Sequence, residues 1–316
     1  MDKQDRRFNL ALDLSVAWCH LLALLLRATP RSRLVAQLVD SAQRFSGALF
    51  SALLTTDEKS RLTVKIYDFY PTYRDVLDRL DDWEDGWFTR RLPPAPAHVL
   101  IGGCGTGREV TALARRGYRV DAFEPAPAFV AETRRRLVEW AAGAPAAQPA
   151  RVIQLSYEQL SALVLDGATD AGAEPLRTAR FDAVLLGCGS LSHVLQASER
   201  RRLLQALNVL CPAGPILASF SCGDRAAHAS AGAGRAQRLG TAIGRTIARL
   251  RGVSAADGDG LSYRAHYGFA YPFTEGGIEE LAHGATRSVV WERGAALQAN
   301  YAALLAGDRL RAASGP

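Results

Sequence analysis

Three groups of residues have types and spacings suited to chemistry. Gly103, Gly105 and Gly107 form GxGxG within Val99-Leu-Ile-Gly-Gly-Cys-Gly-Thr-Gly-Arg-Glu109. Glycines there allow a tight turn and let a ligand approach the backbone closely. Glu124 follows seventeen residues after Gly107. A carboxylate at the end of a second strand can accept hydrogen bonds from both ribose hydroxyls of a nucleoside cofactor. The third group is His193, in Gly187-Cys-Gly-Ser-Leu-Ser-His193. A histidine with a pKa of about 6.5 can take a proton at neutral pH. Capping the following helix, or bonding a backbone group, is the plainer role open to it.

These residues need elements to hold them. Residues 98–101 read as a short apolar strand running into the glycine turn, and 109–116 as a helix ending at Gly117. Strands follow at 118–123, 150–155, 181–186 and 216–221, with helices at 127–142 and 198–210 between them. A loop is expected at 166–178. Strand and helix in alternation mean a parallel sheet covered on both faces. Two further strands are expected at 263–271 and 286–292, on either side of a helix at 275–283. The fold class is therefore α/β.

Residues 1–92 read as helical, with apolar residues at three- and four-residue spacing. Pro93-Pro94-Ala95-Pro96 marks a boundary. The expected organisation is an N-terminal helical cap over 1–92 and a nucleoside-binding domain over 93–316, with a helical insertion at 223–260. The apolar stretch 10–26, interrupted by Asp13 and His20, is short for a membrane span. It suits a buried helix or a homodimer contact, with attachment to a membrane surface as the lesser alternative.

The combination of glycine turn, following helix and acid after the second strand resembles the class I S-adenosylmethionine-dependent methyltransferases, small-molecule type, over about residues 96–291. Gly103-Cys104-Gly105-Thr106-Gly107 is similar to their glycine motif, and Phe123-Glu124-Pro125 to their ribose-binding acid. Ser156 and Tyr157 fall where the family contacts adenine. Gly187 and Cys188 fall in the loop facing the methyl group. The resemblance implies a seven-stranded Rossmann-like sheet, mostly parallel, with the seventh strand antiparallel beside the sixth. It also implies S-adenosylmethionine as cofactor and S-adenosylhomocysteine as product. By the same resemblance the N-terminal helices close over the cofactor, with Tyr67, Tyr73 and Arg74 holding its carboxylate. Tyr70 is then an acceptor contact, as are His266 and Tyr267 on the sixth strand. The sequence departs from the family at Ile101, where an acid is usual, and at Ser156, where Asp is usual. A dinucleotide fold wants a small residue where Arg108 stands.

The loop after the fourth strand excludes several subclasses. It lacks the Pro-Pro-aromatic run of DNA amino-methylating enzymes, the Pro-Cys of cytosine C5 enzymes and the carboxylate of metal-dependent catechol enzymes. What remains is transfer of a methyl group to an O, N or C nucleophile of a small molecule such as a specialised metabolite. A peptide- or protein-modifying enzyme and a non-catalytic cofactor-binding protein stay open beside it.

Composition sets the remaining bounds. The 316 residues are 48% hydrophobic and 22% charged, the balance of a globular chain. Five cysteines without a CxxC pair, and no cleavable leader, suggest a reducing, cytoplasmic setting and no metal site. The net charge is +6, and only three of the 38 cationic side chains are lysine. Residues 223–256 hold six arginines against Asp224 alone. Arg235, Arg238, Arg245 and Arg249 share one helix face. A solvated face is one reading. Attraction of an anionic acceptor, with Arg245 at its edge, is the sharper one. No nucleic-acid partner and no membrane span are expected.

Overall fold

The computed structural model describes residues 13, 15–18, 20–22, 24–25, 33–69, 80–143, 149–222, 234–252, 260–264, 267–292 and 300–306. Its helices are α1 (Arg33–Leu53), α2 (Thr56–Phe69), α3 (Asp82–Arg91), α4 (Arg108–Arg115), α5 (Pro127–Ala142), α6 (Tyr157–Leu165), α7 (Glu174–Thr178), α8 (Ala197–Leu210), α9 (Arg235–Leu250) and α10 (Glu275–Gly284). Its strands are β1 (His98–Gly102), β2 (Arg119–Glu124), β3 (Ala150–Gln154), β4 (Ala183–Leu186), β5 (Ile216–Phe220), β6 (Ser262–Arg264), β7 (Gly268–Ala270), β8 (Arg287–Glu292) and β9 (Asn300–Ala306). The chain divides into two compact units, Met1–Tyr70 with Gly223–Pro272, and Pro71–Cys222 with Phe273–Pro316.

The second unit is built on a seven-stranded sheet of order β3-β2-β1-β4-β5-β9-β8. β1 to β5 run parallel, and β9 is antiparallel to both β5 and β8. This is the arrangement the resemblance implies, and it differs from the 3-2-1-4-5-6 order of a dinucleotide fold. β1, β4 and β5 are covered on both faces, so their sequences are continuous apolar runs rather than alternating ones. Val99, Ile101, Val120, Ala122, Leu185 and Leu217 supply one core, which also takes Leu113, Val130, Trp87 and Phe88. Each large side chain buried there contributes about 1.5–3 kcal/mol. α3, although N-terminal to the proline run, thus groups with the sheet.

Two expectations are corrected. Residues 263–271 are not the sixth strand of the sheet. They belong to a separate antiparallel hairpin, β6-β7, in which Ser262 pairs with Ala270. Left-handed Gly268 at φ 71° follows the turn and ends any continuous strand. The strand expected at 286–292 is β8, and the other sheet position falls to β9, whose Asn-Tyr-Ala-Ala-Leu-Leu-Ala run has no strand-like alternation. Residues 166–178 are also not all loop. Asp170 accepts from the backbone N–H groups of Gly172 and Ala173, and α7 follows.

Arg287 locks the antiparallel edge. Its guanidinium is buried and donates to Asn208 Oδ1 and to the carbonyls of Gly214, Leu304 and Cys211.

The first unit packs α9 along α1. A Cβ on Gly240 would collide with the Phe45 carbonyl, and one on Gly244 would lie 2.6 Å from the Leu49 carbonyl. Only glycine permits this backbone-to-backbone approach. The hairpin joins the same unit through Thr63, whose hydroxyl accepts from Phe269 N–H at 2.9 Å. Tyr263 lies edge-on to Phe50 and against Phe269. Among the described residues no helix is long and apolar enough to cross a membrane.

Candidate functional site

The glycine turn stands at the C-terminal end of β1, beside the ends of β2 and β4. Gly103, Gly105 and Gly107 have φ of 62°, 54° and 83°, all left-handed. Any other residue would be strained at each of them. Space forbids a side chain as well. A Cβ on Gly103 would lie 2.6 Å from the Tyr157 hydroxyl, and one on Gly107 2.6 Å from Thr133. Thr133 fastens the turn by donating to the Gly105 carbonyl at 3.0 Å. Cys104 N–H donates to the Phe123 carbonyl, tying the turn to β2.

Glu124 ends β2 and is 6% exposed. Its Oε2 accepts from Gly105 N–H at 2.9 Å and its Oε1 from Ala126 N–H at 3.0 Å. Burial pushes its pKa up to about 7, against the opposing pull of those two N–H groups. No cation is bonded to it among the described residues. A carboxylate has about four acceptor positions, so two remain for a ligand's hydroxyls. Pro125 follows it and turns the chain into α5, which begins at Pro127.

Ser156 is engaged locally. Its hydroxyl accepts from Gln159 N–H, while the Gln159 side chain accepts from Ser156 N–H, a capping box that starts α6. Tyr157 is buried, edge-on to Phe123 at 5.3 Å. Burial raises its pKa well beyond the usual range, so it stays a hydroxyl. That hydroxyl points to the Gly103 backbone, beside Ser190.

The loop after β4 is the other wall. Cys188 and Gly189 are both left-handed, at φ 48° and 76°. Ser190 N–H closes the turn on the Gly187 carbonyl at 2.9 Å. Gly189 N–H donates to Ser219 Oγ, and Ser221 N–H to Ser192 Oγ, which fixes the loop to β5 and the residue after it. His193 ends a short 3-10 turn, Ser190–His193, and is half-buried. It is not the cap of α8, a position held by Gln196.

A cluster not anticipated from the sequence underlies this loop. Buried Arg108 makes a two-pronged ion pair with Glu84, at 2.5 and 2.8 Å, and bonds Glu109 at 2.7 Å. The same guanidinium meets Cys188 Sγ at 2.8 Å. Burial alone would lower the Arg108 pKa, but the carboxylates of Glu109 and Glu84 outweigh it and raise the value. Ligand atoms of Glu84, Glu109 and Cys188 lie within 4.8 Å of one another, a spacing that could suit a metal ion. The guanidinium is already bonded to all three. Glu109 also explains Gly187, where a Cβ would lie 2.8 Å from its carboxylate. Cys188 is exposed as a residue, but its Sγ is turned to Arg108 and Glu109; desolvation there and the Glu109 charge raise its pKa, so the thiol stays protonated. Cys104 is raised by burial and by Glu124 in the same way. Glu109 directly follows Arg108 in the motif. Glu84 had only the Asp81-to-Glu84 capping spacing to mark it, and that spacing says nothing of Arg108.

The other predicted residues belong to the sheet core or to the first unit, or lie outside the described residues. Ile101, at the family's acidic position, is fully buried core between Ala122 and Leu185. Tyr67 and Tyr267 belong to the first unit, with rings 5.9 Å apart and edge-on. Arg245 is exposed on α9. Tyr70, Tyr73, Arg74 and His266 lie outside the described residues.

No family model matches the chain, and no curated protein sequence matches it. Solved structures do. A structure provisionally described as a zinc-dependent alcohol dehydrogenase from Rhodobacter sphaeroides is 15% identical, covers 77% of this chain and 97% of its own, and has a TM-score of 0.50. A Burkholderia thailandensis 1,6-didemethyltoxoflavin-N1-methyltransferase, with bound 1,6-didemethyltoxoflavin and S-adenosylhomocysteine, is 21% identical over 81% and 92% of the chains, with a TM-score of 0.47. A Bacteroides fragilis S-adenosylmethionine-dependent methyltransferase in complex with S-adenosylhomocysteine is 14% identical over 81% and 98%, also at 0.47. At such identities the likeness concerns the fold.

Proposed function

We propose that this chain is an S-adenosylmethionine-dependent methyltransferase acting on a small molecule. One observation carries the reading. Glu124 is pinned at the strand ends by two backbone N–H groups, with two acceptor positions left and no counter-ion bonded to it among the described residues. Donors from a ribose would complete it. The left-handed glycines beside it leave the backbone bare for close approach, and the sheet order is that of the resembled family rather than of a dinucleotide fold. These residues fit a nucleoside cofactor.

When bound, S-adenosylmethionine supplies an electrophilic methyl group for in-line displacement. The chain's part is placement. Glu124 takes the ribose hydroxyls. Gly103 to Gly107 shape the floor, with the buried Tyr157 hydroxyl packed close against Gly103. Gly187 and Cys188 form the wall toward the methyl group. Holding reactants in line can supply about 7–11 kcal/mol of the barrier. His193 accepts the acceptor's proton where that nucleophile carries one, a contribution of about 10²- to 10⁴-fold.

Calorimetry with S-adenosylmethionine, S-adenosylhomocysteine and NAD tests the reading. Micromolar or tighter binding of the first two is expected. Saturation by NAD alone would sink it. With an acceptor found by labelled methyl transfer into metabolite pools, His193→Ala should lower kcat at least a hundredfold and leave cofactor affinity unchanged. Unaltered kcat would return His193 to a structural role.

A further inference from the structure

The basic helix of the first unit carries a feature that the methyl-transfer reading does not use. α9 has three faces. Gly240, Gly244 and Ala248 form the buried stripe, and the two glycines lie against α1. A second stripe, Leu239, Ile243, Ile247 and Leu250, is apolar yet 56%, 38%, 37% and 83% exposed. The third face holds Arg235, Arg238, Arg245 and Arg249, all exposed. At about 100° per residue the apolar stripe lies roughly 100° from the glycine stripe, and the arginines a further ~120° on. The sixteen residues of α9 contain no acid. The same unit exposes Trp18, Leu21, Leu24 and Leu25.

We propose that α9 lies on an anionic lipid surface. Its apolar stripe would enter the headgroup boundary, and its arginines would flank that stripe and meet the lipid phosphates. A helix with an apolar face, a cationic face and no acid suits that interface. No described helix is fit to cross the bilayer, so attachment is to its surface. A second copy of the chain is a poorer occupant. A two-fold contact sets the same patch against itself, and here that would bring arginine faces together. An anionic surface neutralises them instead. This inference is independent of the cofactor reading.

The test is sedimentation of the full-length protein with phosphatidylcholine vesicles, with and without phosphatidylglycerol. Binding should be at least tenfold tighter with phosphatidylglycerol and should weaken as salt rises. Arg238→Gln with Arg249→Gln should weaken it about thirtyfold. Leu239→Gln with Leu250→Gln should weaken it at least tenfold. Both pairs project into solvent, so circular dichroism melts should match the parent protein and separate lost binding from lost fold. Absence of vesicle binding overturns the proposal. Binding that ignores phosphatidylglycerol, or survives both double variants, overturns it as well. A dimer in sedimentation equilibrium that disappears with Leu239→Gln and Leu250→Gln, without vesicle binding, assigns the stripe to a second copy and also overturns it.

Discussion

Two buried carboxylate sites flank the glycine turn, and they are built on opposite principles. Glu84 and Glu109 surround the Arg108 guanidinium, which answers their charge with direct ion pairs. Among the described residues Glu124 has only two backbone N–H groups, and burial raises its pKa to about 7. The first site is complete in charge within the protein, although the Arg108 Nε is buried without a hydrogen-bond partner among the described residues. The second is left short of donors, which is costly for folding and useful for binding. A buried carboxylate without a counter-ion gains most from a ligand's hydroxyls, because water no longer competes for it.

Breaking the complete site should have the largest effect. Arg108→Met leaves two buried carboxylates unpaired and should cost about 3–5 kcal/mol of stability in urea unfolding. A change under about 1 kcal/mol would mean that the cluster admits water. The second effect is a pH dependence of the incomplete site. The folded pKa of Glu124 is above its ordinary 4.5, so its contribution to stability is full below pH about 4.5 and is lost as pH rises through about 7. The loss approaches ~3 kcal/mol, and Glu124→Gln should flatten that part of the profile. Cofactor affinity should run the other way and strengthen toward pH 8, since only the ionised carboxylate can accept from both hydroxyls. Next in size, Glu124→Ala should weaken cofactor binding at least tenfold, about 1.4 kcal/mol; an unchanged Kd in calorimetry would place the ribose elsewhere. Smallest is Cys188→Gly, which relieves a left-handed residue at φ 48°. It should raise stability by no more than about 1 kcal/mol, since it also removes the thiol beside Arg108.

Much of this was legible along the chain. β1, β4 and β5 stood out as short apolar runs bounded by turn residues, β2 and β3 by their place in the alternation of strand and helix, and the glycine turn because three glycines alternate within five positions. Ser156 was legible as a candidate contact but not as the cap of α6, although the Ser-to-Gln spacing of a capping box was there to read. Arg108 was read only as a misfit for a dinucleotide. Its partner Glu84 lies 24 residues away, on a helix with no periodic relation to the turn. The strand at 286–292 was legible, but the final strand was missed for a different reason. Residues 300–306 are largely alanine and leucine, good helix formers. They become β9 because β5 and β8 offer paired edges on both sides, and Ala302 and Ala303 are small enough to be buried there.

By itself, then, the sequence determined the parallel strands and the left-handed glycine turn, and it placed an acid at the end of β2. Those depend on local steric rules and short-range hydrophobic pattern, which act within a few residues. Tertiary structure decided which carboxylates are paired and which are not, which strands close the sheet, and which side chains of α9 remain exposed. These depend on what distant segments bring alongside. No local spacing encodes the meeting of Glu84 with Arg108, or the backing of Gly240 and Gly244 onto α1.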